Sequence, residues 1–252
     1  MTANQLLVDL WVRAGSDGMR NGGDMVCQRI FMTLILKAEA PNSRLRFNVK
    51  TVNPAKPHPE FKQAGLRHVP GLVLLDGAEE YGEILEQPDE ILEFLDVKFP
   101  QPSLEYSDDE ADTVTANLFS KFCFFIKEVS KDGPKALETE LRRVDSFLKG
   151  HSHRLLTSDT WTHLDCRVLP CLHHIRIVAE VLKGYSIPTD LRSLWRYLDN
   201  GYQSDVFSKT CPSDQEIILY WAERKDTPNL SGQNTMKLAR QAPIFSFHIP
   251  SP

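Results

Sequence analysis

The stretch from Leu6 to Thr51 reads as strand, helix, strand, and that order restricts the fold more than any other feature of the chain. Leu6, Val8, Leu10 and Val12 fall on alternate positions, so they share one face of a strand. A glycine-rich loop follows, Ala14-Gly15-Ser16-Asp17-Gly18 and then Asn21-Gly22-Gly23. A helix is expected from about Asp24, whose carboxylate can accept from the free N–H groups of the first turn. Cys27, Ile30, Phe31, Leu34, Ile35 and Ala38 give that helix an apolar stripe, and Pro41-Asn42-Ser43 ends it. Leu45, Phe47, Val49 and Thr51 then alternate with Arg46, Asn48 and Lys50 as a second strand. A strand, a crossing helix and a second strand close as a right-handed parallel unit.

Asn53 to Leu66 is polar and proline-bearing, with room for one helical turn near Glu60 to Ala64. Val69 to Gly77 reads as a strand opened by proline and closed by a turn, and Tyr81 to Leu85 as its hairpin partner. Pro88-Asp89-Glu90 opens a helix through Ile91, Leu92, Phe94 and Leu95. The resulting order, βαβ, loop, ββα, is the thioredoxin-like layout. After Phe99-Pro100-Gln101-Pro102-Ser103, a stiff linker, strand signals stop. Helical spacing runs from Asp108 to Glu128, with Val129 completing the stripe, and again over Lys135–Leu148, Leu164–Leu182 and Asp190–Asn200, the last capped by Gly201. Ser213 opens a further helix through Trp221. The fold expected is α/β + α, a thioredoxin-like N-terminal domain with an all-helical C-terminal domain. Its boundaries are expected at 1–97, a linker at 98–103, helices at 104–221 and a tail at 222–252.

Chemistry in a thioredoxin-like domain sits where the first long helix begins, and the reactive thiol there is usually the first Cys of C-x-x-C or C-x-x-S. Here the corner reads Asp24-Met25-Val26-Cys27, a carboxylate first and a sulfur fourth. Cys27 lies about a turn into the helix, and the Asp24 charge opposes thiolate formation. It reads as a core thiol, with a residual nucleophile as the other possibility. Asp24 and Cys27 thus mark a vestigial redox site, and enzymatic activity is not expected. Val69-Pro70 stands where such domains present backbone N–H and C=O groups to a peptide-like ligand. The bond is expected cis within this pattern, a trans edge proline being the alternative. Thr162 and Asp165 form a capping box at the start of an apolar helix, a structural device. That helix contains Pro170, which is expected to kink it. His173 and His174 are adjacent on a helix, His151 and His153 flank a loop serine, and none shares zinc spacing with cysteines or carboxylates, so no metal site is expected.

The bulk numbers narrow the classes further. A formal net charge of -5 supplies no basic field for nucleic acid. No window approaches about 18 consecutive apolar residues. Five cysteines without regular spacing, behind an N-terminus with no basic n-region, are expected to be reduced thiols in a cytosolic or nuclear compartment, the cytoplasm being the localisation expected.

Several segments together carry a specific likeness: Ala14-Gly15-Ser16-Asp17-Gly18, Cys27-Gln28-Arg29-Ile30-Phe31-Met32, and Asp165-Cys166-Arg167-Val168-Leu169-Pro170-Cys171-Leu172-His173-His174-Ile175. Gly184-Tyr185-Ser186-Ile187-Pro188 and Thr210-Cys211-Pro212-Ser213-Asp214 extend it, over roughly Leu6 to Trp221. The chain resembles the chloride intracellular channel family, in particular its invertebrate-like branch, where Asp commonly replaces the redox Cys. That family looks like omega-type glutathione transferases. The resemblance implies a soluble form that associates reversibly with membrane lipid and forms a chloride channel, as a homo-oligomer. Arg29 and Lys37 match basic positions implicated in the conduction path, within a proposed membrane segment from about Asp24 to Phe47. The vertebrate-like pattern has Cys-Pro-Phe-Ser at Asp24-Met25-Val26-Cys27. Glutathione sites present an acid followed by Ser or Thr where this chain has Gln87-Pro88, so no glutathione cofactor is expected. The alternatives are a non-catalytic cytosolic binding module on a glutathione-transferase scaffold and a weak glutathione-dependent oxidoreductase using Cys27.

Overall fold

The computed structural model describes residues 5–76, 80–128 and 133–250. The turn expected at Gly77 and the helical position at Val129 lie outside them. The first half runs β1 (Leu6–Arg13), α1 (Met25–Ala38), β2 (Leu45–Val52), α2 (Pro59–Gln63), β3 (Gly71–Asp76), β4 (Glu80–Leu85) and α3 (Pro88–Lys98). The sheet order is β2-β1-β3-β4. β1 and β2 are parallel, with Leu6 opposite Leu45, whereas β3 is antiparallel to both β1 and β4. Val8, Leu10 and Val12 meet Cys27, Ile30 and Leu34 of α1 and Ile91, Leu92 and Leu95 of α3 on one face. Trp11, Val52, Phe61 and Val73 pack on the other, where the Trp11 and Phe61 rings meet edge to face at 5.3 Å. Asp9 shares that second face, almost wholly buried, and is held by Lys50 at 2.6 Å and Asn48 at 2.9 Å.

The second half is helical: α4 (Asp109–Thr115), α5 (Leu118–Ile126), α6 (Lys135–Gly150), α7 (His163–Lys183), α8 (Arg192–Tyr202), α9 (Asp205–Ser208), α10 (Asp214–Ala222) and α11 (Gly232–Arg240). The single helical run expected from Asp108 breaks at Ala116-Asn117 into α4 and α5, each with its own buried set. α7 continues through Pro170 to Gly184, whose φ of 64° supplies the left-handed stop. Gly201 does not cap α8. It lies inside the helix, where a Cβ would come within 2.8 Å of Leu169, so its service is close packing against α7. The tail carries α11 and returns over the helices. Ile244 N–H donates to Gln215, the Asp214 N–H donates to the Ile244 carbonyl, and Phe247 packs at a tilt against His173 and Tyr202.

Two features organise this half. At the start of α7, Thr162 and Asp165 exchange backbone hydrogen bonds, and Asp165 also accepts from the Leu156 N–H and the Tyr197 hydroxyl, both at 3.0 Å. Burial pushes the Asp165 carboxyl up in spite of those donors. Further along, His173 Nδ1 lies 2.9 Å from the Tyr202 hydroxyl, and the Trp221 indole N–H donates to His174 Nδ1 at 3.0 Å. Neither imidazole is exposed.

Burial first, then nearby Arg176, holds His173 well below the ordinary range; burial and then Arg224 hold His174 at about 3. Both are therefore neutral when folded. As pH falls below the unfolded value of about 6.5, the unfolded chain takes up protons that the folded one refuses, so stability drops. Urea unfolding at about pH 6.5 and about pH 4.5 is expected to show a loss of about 2 kcal/mol from His174 alone, with His173 adding in the same direction and the raised Asp165 carboxyl offsetting part of it. A stability that holds steady or rises over that interval would contradict this.

Candidate functional site

The corner between β1 and α1 is where the sequence places its vestigial chemistry. Asp24 precedes the helix in an extended conformation, and its Oδ1 accepts from the N–H groups of Val26 at 2.9 Å and Cys27 at 3.1 Å. The carboxylate thus occupies the anion-binding end of α1, the position at which a thiolate would be stabilised. Cys27 points inward, 3% exposed, its sulfur accepting weakly from the Arg13 N–H at 3.5 Å. Burial first and the Asp24 charge second push its thiol well above the usual range. The cavity beside it holds about 10 Å³, room for roughly one water.

A helix almost two hundred residues downstream closes this corner from outside. The Tyr220 hydroxyl of α10 donates to Asp24 Oδ2 at 3.1 Å and accepts from Arg224. The Tyr220 ring lies under the guanidinium of Arg13 at 5.3 Å and that of Arg224 at 4.3 Å. Burial, then the Asp24 carboxylate, push its hydroxyl up to about 12, so it remains a donor at neutral pH. Gly23 permits the approach: a Cβ there would lie 2.7 Å from the Glu216 carbonyl and 2.9 Å from the Ile217 Cα. Glu216 in turn accepts from the N–H and hydroxyl of Ser16, at 2.7 and 2.5 Å. The glycine-rich loop is therefore bound to α10 rather than left open to cradle a ligand.

The Val69-Pro70 peptide is cis. Just upstream, the N–H groups of Arg67 and His68 donate to Glu86, at 2.5 and 2.6 Å. Glu86 is the acid before Gln87-Pro88, and here it braces the proline loop. Gln87 makes no capping bond to α3, Pro88 removes one N–H from its first turn, and Asp89 and Glu90 make that turn acidic. None of this suits the carboxylate of a γ-glutamyl group.

Arg29 and Lys37 lie on α1 but in different settings. Lys37 is 1% exposed, paired with Asp96 of α3 at 2.8 Å, and donates to the Pro102 carbonyl at 2.9 Å. His163 Nε2, at the start of α7, meets the other Asp96 oxygen at 2.7 Å. Lys37 therefore ties α1, α3, α7 and the connecting segment together. Arg29 is half-buried at a cavity beside Arg167, with its Nε buried and unpaired. Tyr220, Arg224, Glu216, Asp96 and His163 all belong to this setting and carry no local sequence signal that would have singled them out. Among the described residues no cluster of three or more His, Cys, Asp or Glu side chains is placed to hold a metal, and no helix is long and apolar enough to cross a membrane.

A thioredoxin-like mixed four-stranded sheet followed by a helical domain is the glutathione-transferase-like fold. It is shared with a dehydroascorbate reductase of Chlamydomonas reinhardtii (TM-score 0.70, 20% identity, 87% of this chain and 98% of that one). By sequence, the chain is 42% identical to Chloride intracellular channel exl-1 of Caenorhabditis elegans, over 95% of this chain and 98% of that protein. It is 31% identical to Chloride intracellular channel Clic of Drosophila melanogaster, over 96% and 90% respectively. The chain belongs to the chloride intracellular channel family. The crystal structure of the homologue EXC-4 of C. elegans superimposes with a TM-score of 0.83 at 28% identity, covering all of this chain and 93% of that one. No protein-family model matches the chain.

The Asp24–Tyr220 contact is testable by a double-mutant cycle of Asp24→Ala and Tyr220→Phe. Asp24→Ala alone is expected to cost about 1 kcal/mol from the lost helix cap, plus the tyrosine bond. A coupling energy of about 1 kcal/mol between the two sites is expected from thermal or urea unfolding, and strict additivity would show that α10 does not hold the corner.

Proposed function

We propose that the protein acts at membranes and not through thiol chemistry: a cytoplasmic folded form associates reversibly with lipid, and an assembled form conducts chloride. The observation that carries this reading is the 42% identity, along nearly the whole chain, to a protein named as a chloride intracellular channel. The closed corner around Asp24 weighs against the competing oxidoreductase reading, since Cys27 has neither a favourable charge environment nor an adjoining cavity with space for a disulfide substrate.

Conduction requires a large rearrangement. α1 has 14 residues and so spans about 21 Å, short of the roughly 30 Å hydrocarbon core. The segment from Asp24 to Phe47 would be long enough as a helix, but it includes the start of β2, so the parallel pairing with β1 must break. Each central cation costs about 2.5–3.5 kcal/mol to insert unless it faces water. Arg29 and Lys37 are therefore assigned to a lumen shared by several copies of the chain, where their charge attracts chloride. Release of α1 also requires Lys37 to leave Asp96 and the two units to part at the linker, residues 98–103.

Chloride-loaded vesicles mixed with the pure protein test this. Efflux is expected with the wild type, with reduced flux or altered anion selectivity in Arg29→Ala and Lys37→Ala. Lys37→Ala is also expected to destabilise the folded form by about 1–2 kcal/mol, because Asp96 loses its cation while keeping His163 and partial contact with solvent. Absence of flux at every pH and lipid composition tried would refute conduction and leave a non-catalytic binding module.

A further inference from the structure

The segment from Ala242 to Phe247 crosses the first turn of α10 and is held there through its main chain. Ile244 donates its N–H to Gln215 Oε1 at 3.0 Å, and its carbonyl accepts from the Asp214 N–H at 2.9 Å. The residues two places to either side complete the row. The Ala242 carbonyl accepts from Gln215 Nε2 at 2.7 Å, and the Ser246 N–H donates to Asp214 Oδ1 at 3.2 Å. A period of two is how a strand bonds to a sheet edge, but the partner here is the start of a helix. The Ser246 hydroxyl also donates to Asp214, and Arg176 of α7 donates to the Ser246 carbonyl. Phe247 then enters an aromatic pocket supplied by α7, α8 and α9, with ring centroids 5.8 Å from His173, 5.4 Å from Tyr202 and 6.1 Å from Phe207.

The groove is built to read a backbone. Gln215 is 4% exposed and turns both ends of its amide to the tail. The Asp214 N–H belongs to the first turn of α10, where the helix itself offers no acceptor, and Ser213 supplies no side-chain cap. Emptying the groove leaves these groups without partners, whereas another extended chain restores them. The helix that leads into the clamp, α11, buries no side chain. We propose that this groove is a peptide-recognition site for an extended segment of a partner protein carrying a Ser-Phe pair, and that the chain's own Ser246-Phe247 occupies it in cis. The main-chain bonds set the register, the aromatic pocket selects the phenylalanine, and Asp214 selects a hydroxyl and repels an acid before it. Ile244 and Phe245 stay about half exposed, so their positions are read through the backbone alone. A second copy has the same tail seated in its own groove, so exchange between copies gains nothing; the partner is another chain. The tail in cis competes with it, and lowers its apparent affinity by the fraction of grooves that are open.

This proposal goes beyond the channel reading and needs neither a membrane nor conductance, so either can fail alone. The probe is a fluorescent synthetic peptide of residues Gln241–Pro250, followed by anisotropy against the full chain. The double variant Ile244→Pro/Phe247→Ala removes one clamp bond and the ring from the tail without touching the groove. Hydrogen exchange is expected to show its 242–247 amides unprotected, and melting curves to show the rest folded. That variant is expected to bind the peptide about tenfold or more tightly than the wild type does. Adding Gln215→Ala to it, or replacing the phenylalanine that matches Phe247 in the peptide by Ala, is expected to cost about tenfold or more. Equal binding by wild type and double variant, no binding to the double variant, a tail that stays protected in it, or a peptide indifferent to its phenylalanine would overturn the proposal.

Discussion

A carboxylate at the mouth of α1 is the constraint from which the rest of this molecule follows. In a thioredoxin-like corner the helix N-terminus stabilises an anion, and the chemistry depends on whether that anion is a sulfur that can attack. Asp24 supplies the negative charge permanently, through bonds to the first-turn N–H groups, and directs its second oxygen to Tyr220. One side chain is at once helix cap, charge partner and attachment point for α10. The thiol that remains, Cys27, is held inside as packing against Val8, Leu10 and Val12. The two halves are bound together at this corner.

The same helix ties the two halves of the fold together. α1 is buried on two sides, with Cys27, Ile30 and Leu34 against the sheet and Met32 and Ile35 against the helices. An interior cation, Lys37, sits at its far end and is satisfied only while Asp96 and the Pro102 carbonyl stay in place. Buried ion pairs of this sort add little net stability but are costly to break from one side. The docked state is thus specified sharply without being overwhelmingly favoured.

Much of this was legible from the chain alone, because local rules were at work. Alternation in β1 and β2, the proline at the start of β3, the cap at Asp24 and the apolar stripe of α7 all follow from period, propensity and turn chemistry. Elements escaped where tertiary contacts overrule local pattern. The break at Ala116-Asn117 carries no Gly or Pro, and Gly201 resembles a helix stop although it serves the packing of Leu169. α11 and the returning tail look polar and loose, yet Gln215, Asp214 and the aromatic cluster around His173 hold the segment from Ala242 to Phe247 in place. At the site, Asp24 and Cys27 could be read directly, whereas Tyr220, Arg224 and Asp96 are joined to it only by the fold. A single apolar stripe was visible in α1; its second buried side became apparent only once the helical half was in place.

The most direct measurement is intact mass and peptide mapping after the folded chain is held with oxidised glutathione. With the corner occupied by Asp24 and closed by Tyr220, Cys27 should carry no mixed disulfide until the protein is unfolded. A glutathione adduct mapped to Cys27 in the folded chain would contradict the account.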